Sequence, residues 1–246
     1  LLLCLAYTVP GFVGRAPWRG DDMAAFGYMQ ALAQGQTPWL APLLGGLAPE
    51  TEGLLAYWLG AWALQIAPTA LPAELVTRLP FVAMLALTLW ATWYSVYYLA
   101  LSPRAQPVAF AFGGEAQPAD YAGAMADGGL LALLACLGLA QPSHEATSFL
   151  VQLCGSSLVF FALAALPYRA VTPWLALIAG LAGLVLSGAP ALAMLYSLGG
   201  AVLCWWGGQT ADALPTRMRR GPLSLRLLGA ASAAALTAST ARARVS

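Results

Sequence analysis

Leu79-Pro-Phe-Val-Ala-Met-Leu-Ala-Leu-Thr-Leu-Trp-Ala-Thr-Trp-Tyr-Ser-Val-Tyr-Tyr-Leu-Ala100 is a run without a single charged residue. A helix needs about 20 apolar residues to cross the hydrocarbon of a bilayer. The run therefore predicts a spanning helix, and with it an all-α integral membrane protein. The whole chain agrees: 60% of its 246 residues are hydrophobic and 9% charged, where a soluble domain carries roughly 25% charged residues. Outward from this run, further crossings are predicted at Tyr121 to Leu139, Phe149 to Leu166, Trp174 to Leu186 and Ala189 to Trp206. The last two form a hairpin through Ser187 and Gly188. With the apolar segment Leu1 to Val13, ended by Pro10, Gly11 and Gly14, about six transmembrane helices are expected.

The residues between the first two crossings, 14–77, predict one large extracytoplasmic loop with two surface helices. From Asp21 to Gln34 the spacing of Phe26, Met29 and Ala33 is helical, and Gly35 offers a C-cap. Leu54 to Ile66 is too short to span, and its Tyr57, Trp58 and Trp62 suit the headgroup zone. If this loop lies outside, Arg104, Arg169 and the Arg217, Arg219, Arg220 cluster fall on the cytoplasmic side, as the positive-inside rule requires. Residues 207–246 read as an Arg/Ala-rich tail, disordered or holding a marginal last helix. Ala179, Gly183 and Ser187 give one helix a small-residue face, for which packing within the chain is expected.

The formal net charge of +1 argues against nucleic acid as a partner, since a clustered basic surface would be needed. Cys4, Cys136, Cys154 and Cys204 lie in apolar runs with no CxxC spacing and read as packing thiols. There is no phosphate loop ending in Lys-Ser/Thr, and the single histidine excludes bis-histidine haem ligation.

Charge beside a bilayer is costly, so the acidic pair Asp21 and Asp22 stands out as the candidate catalytic site. One of the two can cap its helix; the second has no such use. Arg15, Arg19 and Arg78 fall on the same predicted side, where Arg15 and Arg19 could equally anchor helix ends in the headgroups. His144 and Glu145 fall in a short outer turn on that side as well, where such neighbours share an ion or relay a proton; solvation alone is the plainer alternative. A divalent metal is left open. Asp127 is expected to satisfy a polar neighbour rather than to act in chemistry.

The order of elements resembles a known family. An apolar first helix, an acidic pair opening a surface helix, the Tyr57-Trp-Leu helix and Thr77-Arg-Leu-Pro80 look like the N-terminal half of the family 39 glycosyltransferases, membrane enzymes of the GT-C class. Tyr121-Ala-Gly-Ala-Met-Ala-Asp-Gly-Gly and Ser143-His-Glu145 look like proteobacterial members of that group. The resemblance covers residues 1–206 and implies a GT-C helical bundle in the bacterial inner membrane with its active face outside. It implies transfer of a sugar from a polyprenyl-phosphate donor to a lipid or protein acceptor. Asp21 would be the base, Asp22 stands where the family usually has Glu, Arg78, Arg15 and Arg19 could meet the donor phosphate by paired hydrogen bonds, and Tyr57 would be substrate-binding. The family's Lys-Pro-Pro is replaced here by Glu52-Gly53-Leu54, and its further helices are not found in this chain. The alternative expectation is therefore a non-catalytic accessory subunit of a larger membrane complex.

Overall fold

The computed structural model describes residues 1–14, 16–17, 20–50, 53–68, 70–108 and 113–209, with side chains to 203. The tail beyond 209, the candidates Arg15 and Arg19, and Glu52 of the replaced Lys-Pro-Pro lie outside the described residues. Those described form helices and connecting loops, with one isolated bridge between Leu44 and Leu47. The helices are α1 (Leu2–Phe12), α2 (Gly20–Ala33), α3 (Leu55–Ile66), α4 (Ala73–Ala100) and α5 (Pro118–Leu134). They continue with α6 (Leu137–Ala140), a 3₁₀ turn (Pro142–His144), α7 (Ser148–Ala165), α8 (Thr172–Leu186) and α9 (Pro190–Gln209). Two of them, α4 and α7, are long and apolar enough to cross a membrane, and a third crossing is counted if α5 and the bent segment after it are one span. That content is compatible with an integral membrane protein.

Several boundaries differ from the sequence reading, and prolines account for most of them. Pro10 and Gly11 do not end α1, which runs on to Phe12. Likewise α4 begins at Ala73 and carries Pro80 inside it, so Arg78 lies within the helix instead of preceding it. Pro removes one backbone donor, a loss that neighbouring groups make good inside packed apolar helices. The expected crossing from Tyr121 to Leu139 is not continuous: the helix stops at Leu134 and the segment after it turns away by 67°. Pro142 lacks the N–H that the Gly138 carbonyl would need, which accounts for the end of α6 at Ala140 and not for the break after Leu134.

The chain gathers into two compact units. The first comprises Leu1–Leu89, Leu133–Cys154 and Leu186–Gly188; the second comprises Trp90–Ala132, Gly155–Val185 and the residues from Ala189 on. In the first unit α2 packs on α3, with Met29 seated against Gly60, where any Cβ would collide with its sulfur. Phe12, Met29, Leu32, Phe81, Leu85 and Leu150 close the core around this pair. Helix α2 ends as the sequence predicted: Gly35 takes φ +69°, its N–H donates to the Leu32 carbonyl at 3.1 Å, and Gln36 N–H donates to Ala31 at 2.9 Å. This is the Schellman closure, which satisfies carbonyls that the helix leaves open.

In the second unit α7 and α8 cross at a glycine pair. A Cβ on Gly155 would stand 2.9 Å from the Gly180 carbonyl oxygen, and one on Gly180 would stand 2.7 Å from that of Gly155. Packing within the chain thus uses Gly180, while Ala179 on the small-residue face is exposed. Asp127 accepts a hydrogen bond from the Trp93 indole at 2.8 Å, the structural role expected of it. Tyr98 stacks on Tyr168 and accepts from Arg169 Nε at 2.9 Å. Burial pushes the Tyr168 phenol up from its ordinary value. Of the described thiols Cys154 is buried, but Cys136, at the end of α5, is exposed, contrary to the packing expectation.

Candidate functional site

The two aspartates part company at the first turn of α2. Successive residues on a helix point about 100° apart, so one faces inward and the other outward. Asp22 is 1% exposed. Its Oδ2 accepts from Arg78 Nη2 at 3.3 Å, and its Oδ1 accepts from the Ala146 N–H at 3.2 Å. Arg78, also buried, further donates from Nη1 to the Phe12 carbonyl at 3.4 Å. One carboxylate therefore ties the start of α2 to α4 and to the loop entering α7. Arg78, expected to meet a phosphate, is engaged in this tie, and Asp22 belongs to the frame that holds its neighbour.

Asp21 is exposed and lines a cavity of about 430 Å³. Helix α2 supplies Asp21, Ala25 and Tyr28, and the loop before α3 supplies Leu44, Leu47 and Glu50. Tyr57 of α3 and Thr147, Ser148 and Phe149 at the start of α7 complete the wall. Tyr28 and Tyr57 pack ring to ring with centroids 5.2 Å apart, and the Tyr28 hydroxyl donates to the Leu47 carbonyl at 3.0 Å. That bond holds the loop against α2. The loop turns back on itself at Gly45 and Gly46, both at positive φ, a conformation in which glycine carries no steric cost. Tyr57, counted as substrate-binding, is thus in the cavity wall with Asp21.

His144 is not. The expected solvated outer turn is buried, with His144 7% and Glu145 4% exposed. The imidazole sits between the rings of Tyr7 and Phe12, at centroid distances of 4.7 and 5.4 Å. Its Nδ1 lies 2.7 Å from the Ala140 carbonyl and its Nε2 lies 2.8 Å from that of Tyr7. The Ser143 hydroxyl also lies 3.1 Å from Nδ1, so both ring nitrogens have polar partners. Glu145 accepts from Gln141 Nε2 at 2.9 Å. Neither residue lines the Asp21 cavity; His144 joins the turn before α7 to α1. Sequence reading placed this turn in water because polar residues between two crossings ordinarily emerge, and it had no view of the partner helix.

Gly11 is what lets α1 come so close, because a Cβ there would overlap the His144 ring. Gly11→Ala is therefore expected to lower the thermal midpoint in detergent, by about 1–3 kcal/mol of stability as overpacking does. His144→Ala in the same chain should return part of the loss; an unchanged midpoint for Gly11→Ala would contradict this contact.

Glu50, Tyr28, Thr147 and Ser148 are cavity residues that sequence reasoning missed. For the last two a signal existed: Thr-Ser directly before the apolar run at Phe149 is a helix-start pattern. No group of three His, Cys, Asp or Glu that could hold a metal ion occurs among the described residues. Asp21 and Glu50 are the acids of the cavity wall. No protein-family model, curated protein or solved structure matches this chain.

Proposed function

We propose that the chain is a GT-C-like, family 39-like membrane glycosyltransferase, taking a sugar from a polyprenyl-phosphate donor to a lipid or protein hydroxyl. In this reading α1, α4, the bent α5–α6 segment, α7, α8 and α9 are six crossings of a bacterial inner membrane, with the cavity on the extracytoplasmic face. The observation that carries it is the split of the acidic pair: Asp21 lines a cavity of ligand size while Asp22 is locked to Arg78 behind it. Catalytic bases need that combination of access and fixed position.

The reaction balances with the residues at hand. Asp21 takes the proton of the acceptor hydroxyl as its oxygen bonds to the anomeric carbon. The bond from that carbon to phosphate oxygen breaks, and polyprenyl phosphate leaves with the electron pair. Leu44, Leu47 and Phe149 give the cavity an apolar wall suited to the first isoprene units.

The test is direct: the full chain in proteoliposomes, supplied with polyprenyl-phosphate-linked hexose or pentose, should release polyprenyl phosphate in step with glycosylated acceptor. No release with any such donor, together with recovery of the chain in a stoichiometric larger complex, would replace this reading by that of an accessory subunit.

A further inference from the structure

Helices α4 and α7, the two long and apolar enough to cross a membrane, bring their C-terminal ends together in the second unit. Tyr98, in the last turn of α4, is 6% exposed. It stacks on Tyr168, just past the end of α7, with centroids 5.2 Å apart and planes at 20°. Trp93, Tyr94 and Tyr97 continue the aromatic row along α4, ring against ring. Tyrosine and tryptophan gathered where apolar helices end mark the headgroup level of a bilayer, since each joins an apolar body to a polar tip.

Arg169 stands at this level. Its Nε donates to the Tyr98 hydroxyl at 2.9 Å, a bond that orients the guanidinium and leaves the Nη1 and Nη2 donors unengaged among the described residues. The end of α7 does not use them, because the Ala165 carbonyl already accepts from the N–H groups of Tyr168 and Arg169 at 3.0 and 2.9 Å. No carboxylate uses them either: among the described residues the one ion pair is Arg78 with Asp22. The Arg169 side chain is exposed, and so is Arg104 in the turn that follows α4. An ordinary surface arginine is free to swing in water, whereas one held through Nε by a buried phenol is already set for a ligand and loses less freedom on binding it. We propose that Arg169, oriented by Tyr98, is a headgroup site for an anionic phospholipid of the leaflet at which α4 and α7 end. The paired Nη donors match two oxygens of the phosphodiester. Two uncompensated arginines in one unit favour a lipid of net negative charge over a zwitterion, whose ammonium they repel. The site shares no residue with the Asp21 cavity and does not depend on the transferase reading.

The experiment is native mass spectrometry of the full chain in detergent, titrated with phosphatidylglycerol or with phosphatidylcholine of the same acyl chains. Saturable binding of phosphatidylglycerol is expected, at least about fivefold tighter than phosphatidylcholine, the advantage that one arginine's attraction to an anionic headgroup gives. Arg169→Gln should weaken phosphatidylglycerol about tenfold, as loss of hydrogen bonds to a charged group does, and abolish most of its preference. The residue is exposed, so the variant should fold and keep its thermal midpoint. Arg169→Lys keeps the charge without the fork and should bind more weakly than the wild type. Tyr98→Phe keeps the stack but releases the guanidinium, and should bind more weakly too; if it fails to fold, the two Arg169 variants carry the comparison alone. Equal binding of the two lipids by the wild type, or undiminished phosphatidylglycerol binding by Arg169→Gln, overturns the site. Full binding by Arg169→Lys overturns the paired grip, since a point charge would then suffice. Displacement of the lipid by an equal concentration of glycerol phosphate overturns its assignment to the membrane in favour of a soluble phosphate.

Discussion

Asp21→Asn should reduce polyprenyl-phosphate-dependent transfer by about two to four orders of magnitude, the range that general-base catalysis contributes. The amide keeps the size and polarity of the side chain but cannot take the acceptor proton. Stability should hardly change. The side chain is exposed, and a carboxylate in the first turn of a helix is worth only about 0.3–1 kcal/mol through the dipole. The amide also leaves the shape of the cavity as it was, so the loss belongs to kcat far more than to KM. Turnover within a factor of a few of wild type, at equal membrane level, would remove Asp21 as the base.

Arg78→Met is expected to have the largest effect on stability. It leaves the Asp22 carboxylate buried without its cation, and breaking such a pair from one side costs about 3–5 kcal/mol. Asp22→Asn/Arg78→Met removes both charges and should be less destabilised than Arg78→Met alone, because no unpaired ion is left inside. Thermal or denaturant midpoints of the purified chain in detergent check both; costs that simply add would mean the two side chains are not coupled. Activity should fall with Arg78→Met even where the protein survives. Asp22 is the residue that joins Asp21 to α4 and to the Ala146 N–H, and a displacement of about 1 Å at a reacting group can cost on the order of a hundredfold.

How far the sequence disclosed this arrangement depends on the kind of information asked of it. Helices α2, α3, α7 and α8 lie within a residue or two of where apolar spacing put them, because period and length are local properties. Gly35 announced its own helix end for the same reason. Pro10 and Pro80 misled, since the breaker rule presumes water around the helix and neglects what packed neighbours can supply. Nothing local pairs Asp22 with Arg78 across 56 positions, or His144 with Tyr7 across 137. Those contacts exist only once α1, α2 and α4 have met. The candidate residues were found as types; their division into the cavity group of Asp21 and Tyr57 and the buried group of Asp22, Arg78, His144 and Glu145 had to come from three dimensions.

The six consecutive residues Ser143-His-Glu-Ala-Thr-Ser148 are all buried, while leucines such as Leu2, Leu3 and Leu5 on α1 are exposed. In a bilayer this inside-out distribution changes what selects the native arrangement. Lipid tails accept a leucine as readily as a protein interior does, so shape and polar pairing decide which helix meets which. A short hydrophilic strip then acts as the address label of the first unit: exchanging its leucines for one another should be forgiven, whereas permuting Ser143 to Ser148 would leave the same greasy helices with no unique way to assemble.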